Sequence, residues 1–295
     1  MTQQSTPATR VSWNLAKTAG QIGTGNWQAF PTSRLDDVRA AAVTWRQALA
    51  GIERPWLCWC VDDEWCSLQQ RLVVQAGWTP VVGTDGNVGR PSLIPEAVFI
   101  DFNRELKLPL MWMHFPIEFA FLYSSRLAFW HSDVLPPVSV MKKVAAEFET
   151  LEDGQFIGTR IDQVGPLWQL RRLLQGKPAR YRRWYEVIGC TTEGASRSQF
   201  EHGCGWWRHP EHHPNARRDR LPKSPHWEHG VGIALWEELF GGVARRLTAD
   251  ISPFHYTASS SSTRSPLRGA VDSKSAELKM RVDLEKVVPG LGLPR

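Results

Sequence analysis

The sequence predicts an α/β protein with a mostly parallel sheet flanked by helices. Residues 55–61 form a short, unbroken apolar run, which is typical of a strand buried on both faces of a sheet. A helical pattern and a second apolar run follow, which together make a βαβ unit of about 30 residues. The chain has 295 residues, 42% of them hydrophobic and 22% charged. This composition excludes a disordered chain and a disulfide-stapled mini-protein.

The first third of the chain contains an irregular arm, a helix and the βαβ unit. Residues 1–34 are polar and carry two isolated tryptophans, which indicates an irregular arm. Within the βαβ unit, the acidic run 62–64 stands at a helix start, where the helix dipole favours negative charge. The predicted elements, in order, are a helix at Asp36–Ala50, a strand at Pro55–Val61, a helix that ends at Gly77 and a strand at Trp78–Val82.

The rest of the chain alternates between strands and helices and then becomes irregular. The predicted elements are a strand at Ala97–Phe102, a helix at Leu108–Tyr123, strands at Leu127–Trp130 and Gln155–Ile161 around a helix at Val138–Leu151, a basic helix at Trp168–Leu174, a strand at Tyr185–Gly189 and a helix at Gly232–Arg246. Residues 190–230 show little regular pattern, and so long an irregular stretch is usually functional or disordered. A final helix or strand is expected within 274–292.

Cysteine usage and hydropathy bear on the cellular compartment. Five cysteines is an odd number, and Cys58, Cys60 and Cys66 lie too close together for a secreted disulfide framework. No apolar run approaches the ~18 residues that a membrane span needs. We therefore expect a cytoplasmic protein with no membrane span.

Positive charge is concentrated in one segment. The chain carries a formal charge of +5, yet residues 160–223 contain 13 Lys and Arg against 6 Asp and Glu. This local +7 leaves the remainder at −2. Such a segment favours an anionic ligand, although a solvated basic face has the same composition.

The fourth predicted strand runs into a candidate metal site, Phe129-Trp130-His131-Ser132-Asp133. A carboxylate at the carboxyl end of a parallel strand stands where open α/β sheets bind ligands. His131 and Asp133 could point the same way if the chain stays extended, and a divalent cation on a diphosphate needs such groups. The alternative is that Asp133 caps the next helix and His131 is a core histidine.

This order of parts is similar to that of glycosyltransferases of the GT-A fold. The resembling parts are the βαβ opening that ends in Gly83-Thr84-Asp85, the strand-end x-x-Asp triplet before a Pro-rich turn and helix, and a late histidine before a C-terminal helix. In that fold an Asp-x-Asp motif holds a divalent metal on a nucleotide-sugar, and a downstream histidine often completes the coordination. The resemblance implies a GT-A-like catalytic domain at 53–256, between an N-terminal arm and helix (1–52) and a C-terminal loop and tail (257–295).

The resemblance also implies roles for individual residues. Asp133 matches the second acid of the motif, whereas His131 stands in place of the first, which favours Mn²⁺ or Zn²⁺ over Mg²⁺. Asp85 is expected near the nucleoside. The late histidine is His226 or His229, and we take His229 with His131 and Asp133 as the metal set.

A second group of candidates lies in the His- and Trp-rich segment 201–213. Six of the nine histidines lie between His202 and His229. For sugar transfer, Trp206 and Trp207 are expected to stack on sugars, Glu201 or Glu211 to act as general base and Arg208 to neutralise the leaving phosphate. A structural Zn²⁺ site is an alternative, with ligands among Cys204, His209, His212, His213, Cys190 and His202. The third alternative is a His-rich surface loop that binds no ligand.

Arginines alternate with aromatic residues at 180–185, a pattern that can contact phosphates and stack on bases. An amphipathic element covering the sheet edge has the same pattern. We expect a glycosyltransferase that uses a nucleotide-sugar donor and Mn²⁺ or Mg²⁺. The alternatives are an enzyme that glycosylates hydroxymethylated DNA bases and a non-catalytic, zinc-containing nucleic-acid-binding protein.

Overall fold

The protein is an α/β structure with a seven-stranded mixed sheet at its centre. The computed structural model describes residues 35–84, 89–107, 111, 113–161, 166–206, 213–221, 230–256 and 284–294. The sheet order is β3-β2-β1-β4-β6-β5-β7. Four of its six neighbouring pairs are parallel, and β6 runs antiparallel to both of its neighbours, β4 and β5. The predicted α/β class with a mostly parallel sheet is therefore confirmed.

The strands alternate with helices along most of the chain. The strands are β1 Pro55–Cys60, β2 Thr79–Thr84, β3 Val98–Phe99, β4 Arg126–Trp130, β5 Gln155–Ile161, β6 Arg183–Thr192 and β7 Val243–Arg246. The helices are α1 Leu35–Ala48, α2 Asp63–Gln75, α3 Phe102–Leu106, α4 His114–Glu118, α5 Val138–Glu149, α6 Pro166–Leu174, α7 Glu193–Glu201, α8 Val231–Phe240 and α9 Leu284–Val287. Short 3₁₀ turns at Ala120–Leu122, Arg218–Arg220, Ser252–Phe254 and Val288–Leu291 complete the described elements.

Local chemistry explains where the helix of the βαβ unit begins and ends. The Asp62 side chain accepts hydrogen bonds from the backbone N–H groups of Glu64 and Trp65, which caps the start of α2. Gly77 follows the helix with φ of +78°, a conformation that costs other residues free energy. These two residues place α2 between β1 and β2, as the sequence predicts.

Tryptophan supplies much of the core on both faces of the sheet. Nine of the 15 tryptophans are buried within the described residues. On the face covered by α2 and α5, the Trp56 ring lies 5.1–5.4 Å from the rings of Trp78, Trp130 and Phe148. Such aromatic contacts contribute about 0.5–1.5 kcal/mol each beyond area burial. These nine tryptophans therefore stabilise the core.

Four predicted elements differ from the structure. The strand expected at Ala97–Phe102 is only two residues long, because the Asp101 side chain caps a helix that begins at Phe102. The helix expected at Leu108–Tyr123 is, where described, a short helix and a 3₁₀ turn. The segment 190–230 contains α7, capped by Thr192. The helix expected at Gly232–Arg246 stops at Gly241, with φ of +68°, and its last residues form β7.

The described helices include none that is long and apolar enough to cross a membrane.

Candidate metal centre

The candidate centre lies where the strand order of the sheet reverses. From β1, the chain builds outward through β2 and β3 on one side, whereas β4 lies on the other side of β1. Such a switch point leaves a crevice at the carboxyl ends of the two central strands, and this crevice is the usual ligand site of open α/β sheets. His131 and Asp133 follow the carboxyl end of β4 directly.

Three side chains converge at this point: His131, Asp133 and His255. The His255 Nε2 atom is 3.2 Å from Asp133 Oδ1 and 3.4 Å from His131 Nδ1. His131 Nδ1 is 3.8 Å from Asp133 Oδ1. Ligand atoms about 2.1 Å from a tetrahedral ion lie about 3.4 Å from one another. The three atoms therefore have the spacing of a metal-ligand set, and the group could hold a metal ion.

Backbone hydrogen bonds bring the two sequence segments together. Val134 and His255 form an isolated antiparallel bridge. On either side of it, the Tyr256 N–H donates to the Asp133 carbonyl at 2.7 Å, and the Leu135 N–H donates to the Phe254 carbonyl at 3.1 Å. This pairing carries His255 to Asp133 although His131 and His255 are 124 residues apart.

The turn that carries His131 and Asp133 is also fixed from α2 and β6. The buried Gln69 side chain donates to the His131 carbonyl at 2.7 Å and to the Val134 carbonyl at 3.1 Å. The His131 N–H donates to the Val187 carbonyl at 2.9 Å, which extends the ladder between β4 and β6 by one residue. The ligand atoms are thus held by rigid elements, as a preorganised site requires.

Glu186, on β6, contacts the outer side of His131. Its Oε1 atom is 3.7 Å from His131 Nε2 and 3.7 Å from His114 Nε2. Burial disfavours the charged carboxylate, but hydrogen bonding and charge from the two histidines hold the pKa of Glu186 well below its usual range. Burial also disfavours the His131 imidazolium, yet Glu186 and Asp133 together raise the pKa of His131. Glu186 thus orients His131 so that Nδ1 faces Asp133.

The centre is closed on its carboxylate side and more open on its imidazole side. Asp133 is 1% exposed, whereas the side chains of His131 and His255 are 23% and 15% exposed. A buried carboxylate needs cationic partners, and two imidazoles or a bound ion meet that need. A ligand in the crevice would therefore approach from the histidine side.

A cleft of about 530 Å³ opens beside the start of α2, at the carboxyl end of β1. Because the register sets Leu57 opposite Phe129, the residues that follow β1 reach the same edge of the sheet as Asp133. Asp62 and Asp63 line the cleft together with Ser92, and the Asp63 carboxylate accepts hydrogen bonds from the Ser92 N–H and hydroxyl at 2.7 and 2.6 Å.

The structure brings together two of the three predicted metal ligands. His131 and Asp133 converge as expected, and the late histidine beside them is His255 rather than the predicted His229 or His226. The signal in the sequence is its place at the end of the run Ser252-Pro253-Phe254-His255, beyond the helix predicted at Gly232–Arg246. The other candidates Asp85, Trp207, Arg208, Glu211, His226 and His229 lie outside the described residues.

Two predicted acceptor-side residues are described, and neither contacts the centre in the described part of the chain. Trp206 is 1% exposed, and its ring lies 5.7 Å from Phe129 and 5.8 Å from Phe156. It is a core residue, so its ring is covered by other side chains. Glu201 is exposed at the end of α7. This helix begins at Glu193, which donates its N–H to the Ser125 carbonyl beside the amino end of β4.

Of the residues proposed for structural zinc, His209 and His212 lie outside the described residues, and the other four form no ligand cluster among the described residues. Cys190 belongs to the core on one face of the sheet and Cys204 to the core on the other. His202 and His213 make local contacts, His202 Nδ1 at 2.8 Å from the Ser198 carbonyl and His213 Nε2 at 2.9 Å from the His202 carbonyl. Within the ranges that the structure describes, His131, Asp133 and His255 form the one cluster of this kind.

No protein-family model matches the chain, and no curated protein matches it.

Proposed function

We propose that this protein is a metal-assisted glycosyltransferase that uses a nucleotide-sugar donor. The observation that carries the proposal is the cluster of His131, Asp133 and His255 at the switch point of an α/β sheet. When the sugar of a nucleotide-sugar is transferred, the nucleoside diphosphate is the leaving group, and a divalent ion held by these residues would neutralise the charge that develops on it. The resemblance to the GT-A fold supports the same reading.

The ligand set favours Mn²⁺ over Mg²⁺. The two imidazoles suit Zn²⁺ or Fe²⁺ and the carboxylate suits Mn²⁺, whereas Mg²⁺ prefers an all-oxygen set and retains water. Asp133 would supply the negative charge at the centre, and Gln69 would keep its turn in place. His131 and His255 would bind through Nδ1 and Nε2, the atoms that face Asp133.

The remaining roles extend the proposal to donor and acceptor. Asp85 would contact the nucleoside, Arg208 would neutralise the leaving phosphate, and Trp207 would stack on a sugar. Glu201 or Glu211 would take the proton of the acceptor hydroxyl. In each case the support is the residue type and its place in the GT-A-like order.

Metal-dependent turnover of nucleotide-sugars tests the proposal. A panel such as UDP-glucose, UDP-galactose and GDP-mannose is incubated with the full chain, with and without Mn²⁺, and released nucleoside diphosphate is measured. We expect release from at least one donor in Mn²⁺ and a loss of at least about 100-fold in Asp133→Asn, because the centre loses its charge.

The matched control is Asp36→Asn, which makes the same chemical change at an exposed position on α1. Asp36→Asn should retain wild-type turnover, and thermal unfolding should show a cooperative transition in both variants, so that a loss of turnover in Asp133→Asn is not a loss of the fold. Turnover that survives in Asp133→Asn, or that does not depend on the metal, would refute the proposal.

A further inference from the structure

Helix α6 presents an apolar face to solvent. Leu167, Leu170, Leu173 and Leu174 are 81%, 52%, 55% and 81% exposed. At 100° per residue, they project at about 0°, 300°, 240° and 340° around the helix axis. They therefore form one continuous sector of about 120°, which is the width of the buried stripe of an ordinary amphipathic helix.

Contacts on the other side of α6 fix this orientation. The Arg172 guanidinium donates to the Pro178 carbonyl at 3.1 Å and to the Asp219 carbonyl at 3.1 Å. The Gln169 side chain accepts a hydrogen bond from the Arg180 N–H at 3.4 Å. Because the polar side of the helix is attached to the protein, the leucines are held outward.

The exposure is concentrated on this helix. Among the described residues, the other exposed large hydrophobic side chains are Val43, Leu239 and Val243, which lie on three separate elements. Single exposed apolar residues are ordinary, whereas a contiguous apolar patch marks an interaction surface. The four leucines are such a patch.

Positive charge surrounds the patch. Residues 166–183 contain six Lys or Arg and no Asp or Glu. Arg171 lies next to Leu167 and Leu174 around the helix axis, and Arg171, Lys177 and Arg182 are all exposed. A partner for this surface must therefore combine an apolar layer with negative charge.

We propose that α6 and the basic segment 177–183 dock on the surface of an anionic lipid bilayer. An interfacial amphipathic helix inserts its leucines at the boundary between headgroups and acyl chains while its basic residues contact anionic headgroups. Nucleic acid would satisfy the charges but leave the leucines in water. A neutral apolar protein groove would cover the leucines but offer no negative charge to the exposed Arg171 and Lys177.

The docking surface lies near the candidate metal centre. Arg180 contacts α6 through Gln169, and Glu186, which contacts His131, is six residues further along the chain. Six extended residues span at most about 20 Å. Docking would therefore hold the crevice close to the bilayer, within reach of an acceptor carried by a lipid. This extension to the acceptor rests on the proposed glycosyltransferase function, whereas the docking itself does not.

Vesicle flotation of the full chain tests the docking. The protein is mixed with vesicles of neutral phosphatidylcholine, or of phosphatidylcholine with about one third phosphatidylglycerol, and the bound fraction is measured at low and high salt. We expect binding to the anionic vesicles, at least tenfold weaker binding to the neutral ones, and weaker binding at high salt. One charge at an anionic surface corresponds to about a fivefold change in affinity, so Arg171→Glu should lose about 25-fold.

Variants of the leucines separate the two contributions. The double variant Leu170→Gln and Leu174→Gln should lose at least tenfold in vesicle binding, and Val43→Gln on α1 should bind like the wild type. All of these side chains are exposed, so the variants should fold and unfold as the wild type does. Absence of vesicle binding, equal binding to neutral vesicles, or wild-type binding by the leucine variants would overturn the proposal.

Two further outcomes would overturn the bilayer proposal and assign the surface to a different partner. Duplex DNA binding that Arg171→Glu abolishes, with no vesicle binding, assigns the surface to nucleic acid. A dimer that the leucine variants dissociate, again with no vesicle binding, assigns it to a second copy of the chain. Nucleotide-sugar turnover in detergent-free buffer is measured in parallel, so a failure of docking is distinguishable from a failure of the proposed function.

Discussion

Replacing Glu186 with glutamine should weaken metal binding without removing a ligand. The Glu186 Oε1 atom is 3.7 Å from His131 Nε2, while His131 Nδ1 faces Asp133 and His255. A carboxylate behind a metal-bound histidine fixes the tautomer that leaves the other nitrogen free to coordinate. Glutamine has nearly the same volume but carries no charge, so the substitution removes this orientation and spares the packing.

The expected magnitude follows from that distance. Two unit charges 3.7 Å apart attract by about 4.5 kcal/mol at an effective dielectric of 20, which sets a ceiling for the loss. A coordinated imidazole carries only part of a charge at Nε2, so the loss must be smaller. Removing such partners typically weakens metal binding 10–100-fold, or about 1.4–2.7 kcal/mol.

Calorimetric titration with Mn²⁺ measures the effect on wild type, Glu186→Gln and Glu186→Asp. We expect Glu186→Asp, which keeps the charge, to recover part of the affinity that Glu186→Gln loses. Glu53→Gln is the matched control, because Glu53 is exposed just before β1, at the opposite end of the strand from the centre. If Glu186→Gln binds Mn²⁺ within twofold of the wild type, the orienting role of Glu186 is refuted.

Two further predictions concern the core. All five cysteines are buried and none forms a disulfide, and burial raises the pKa of the Cys58 and Cys190 thiols. A thiol reagent should therefore modify none of the five in the native protein and all five after denaturation; rapid modification of the native protein would contradict this burial. Gly189→Ala should destabilise the fold by about 1–3 kcal/mol in chemical denaturation, because its Cβ would stand 2.8 Å from the Ile157 carbonyl oxygen and from a Phe129 ring carbon. Gly89→Ala is the control, because a Cβ at Gly89 would meet open space. Equal free energies of unfolding for Gly189→Ala and the wild type would show that β6 can shift to accept the methyl group.

Strong local signals made the parallel half of the sheet predictable. β1 is an unbroken apolar run buried on both faces, and α2 has an acidic cap and a terminal glycine, so pattern and structure coincide. β7 was missed because the apolar pattern of α8 continues into it, and only Gly241 and Gly242 interrupt the pattern. A short, half-exposed edge strand becomes a strand by pairing with β5, and no local property of Val243–Arg246 shows that pairing.

Only the two residues of the candidate centre that follow β4 were predictable from the sequence. His131 and Asp133 are neighbours at a strand end, so the sequence shows them together. His255 joins them through a bridge to Val134, and a contact between segments so far apart depends on the tertiary fold. For Trp206 the sequence predicts an exposed ring, because its sequence neighbours are polar and rich in glycine. In the structure Phe129 and Phe156 cover this ring.

X-ray absorption spectroscopy of the Mn²⁺- or Zn²⁺-loaded protein is the decisive test of the metal centre, because it counts the ligands of the bound ion. We expect one ion per chain with two imidazole nitrogens and oxygen ligands, and a single imidazole after His255→Ala. Sulfur in the coordination shell would assign the ion to a cysteine-containing site. An ion whose ligands do not change in His255→Ala or Asp133→Asn would contradict the metal centre proposed for this protein.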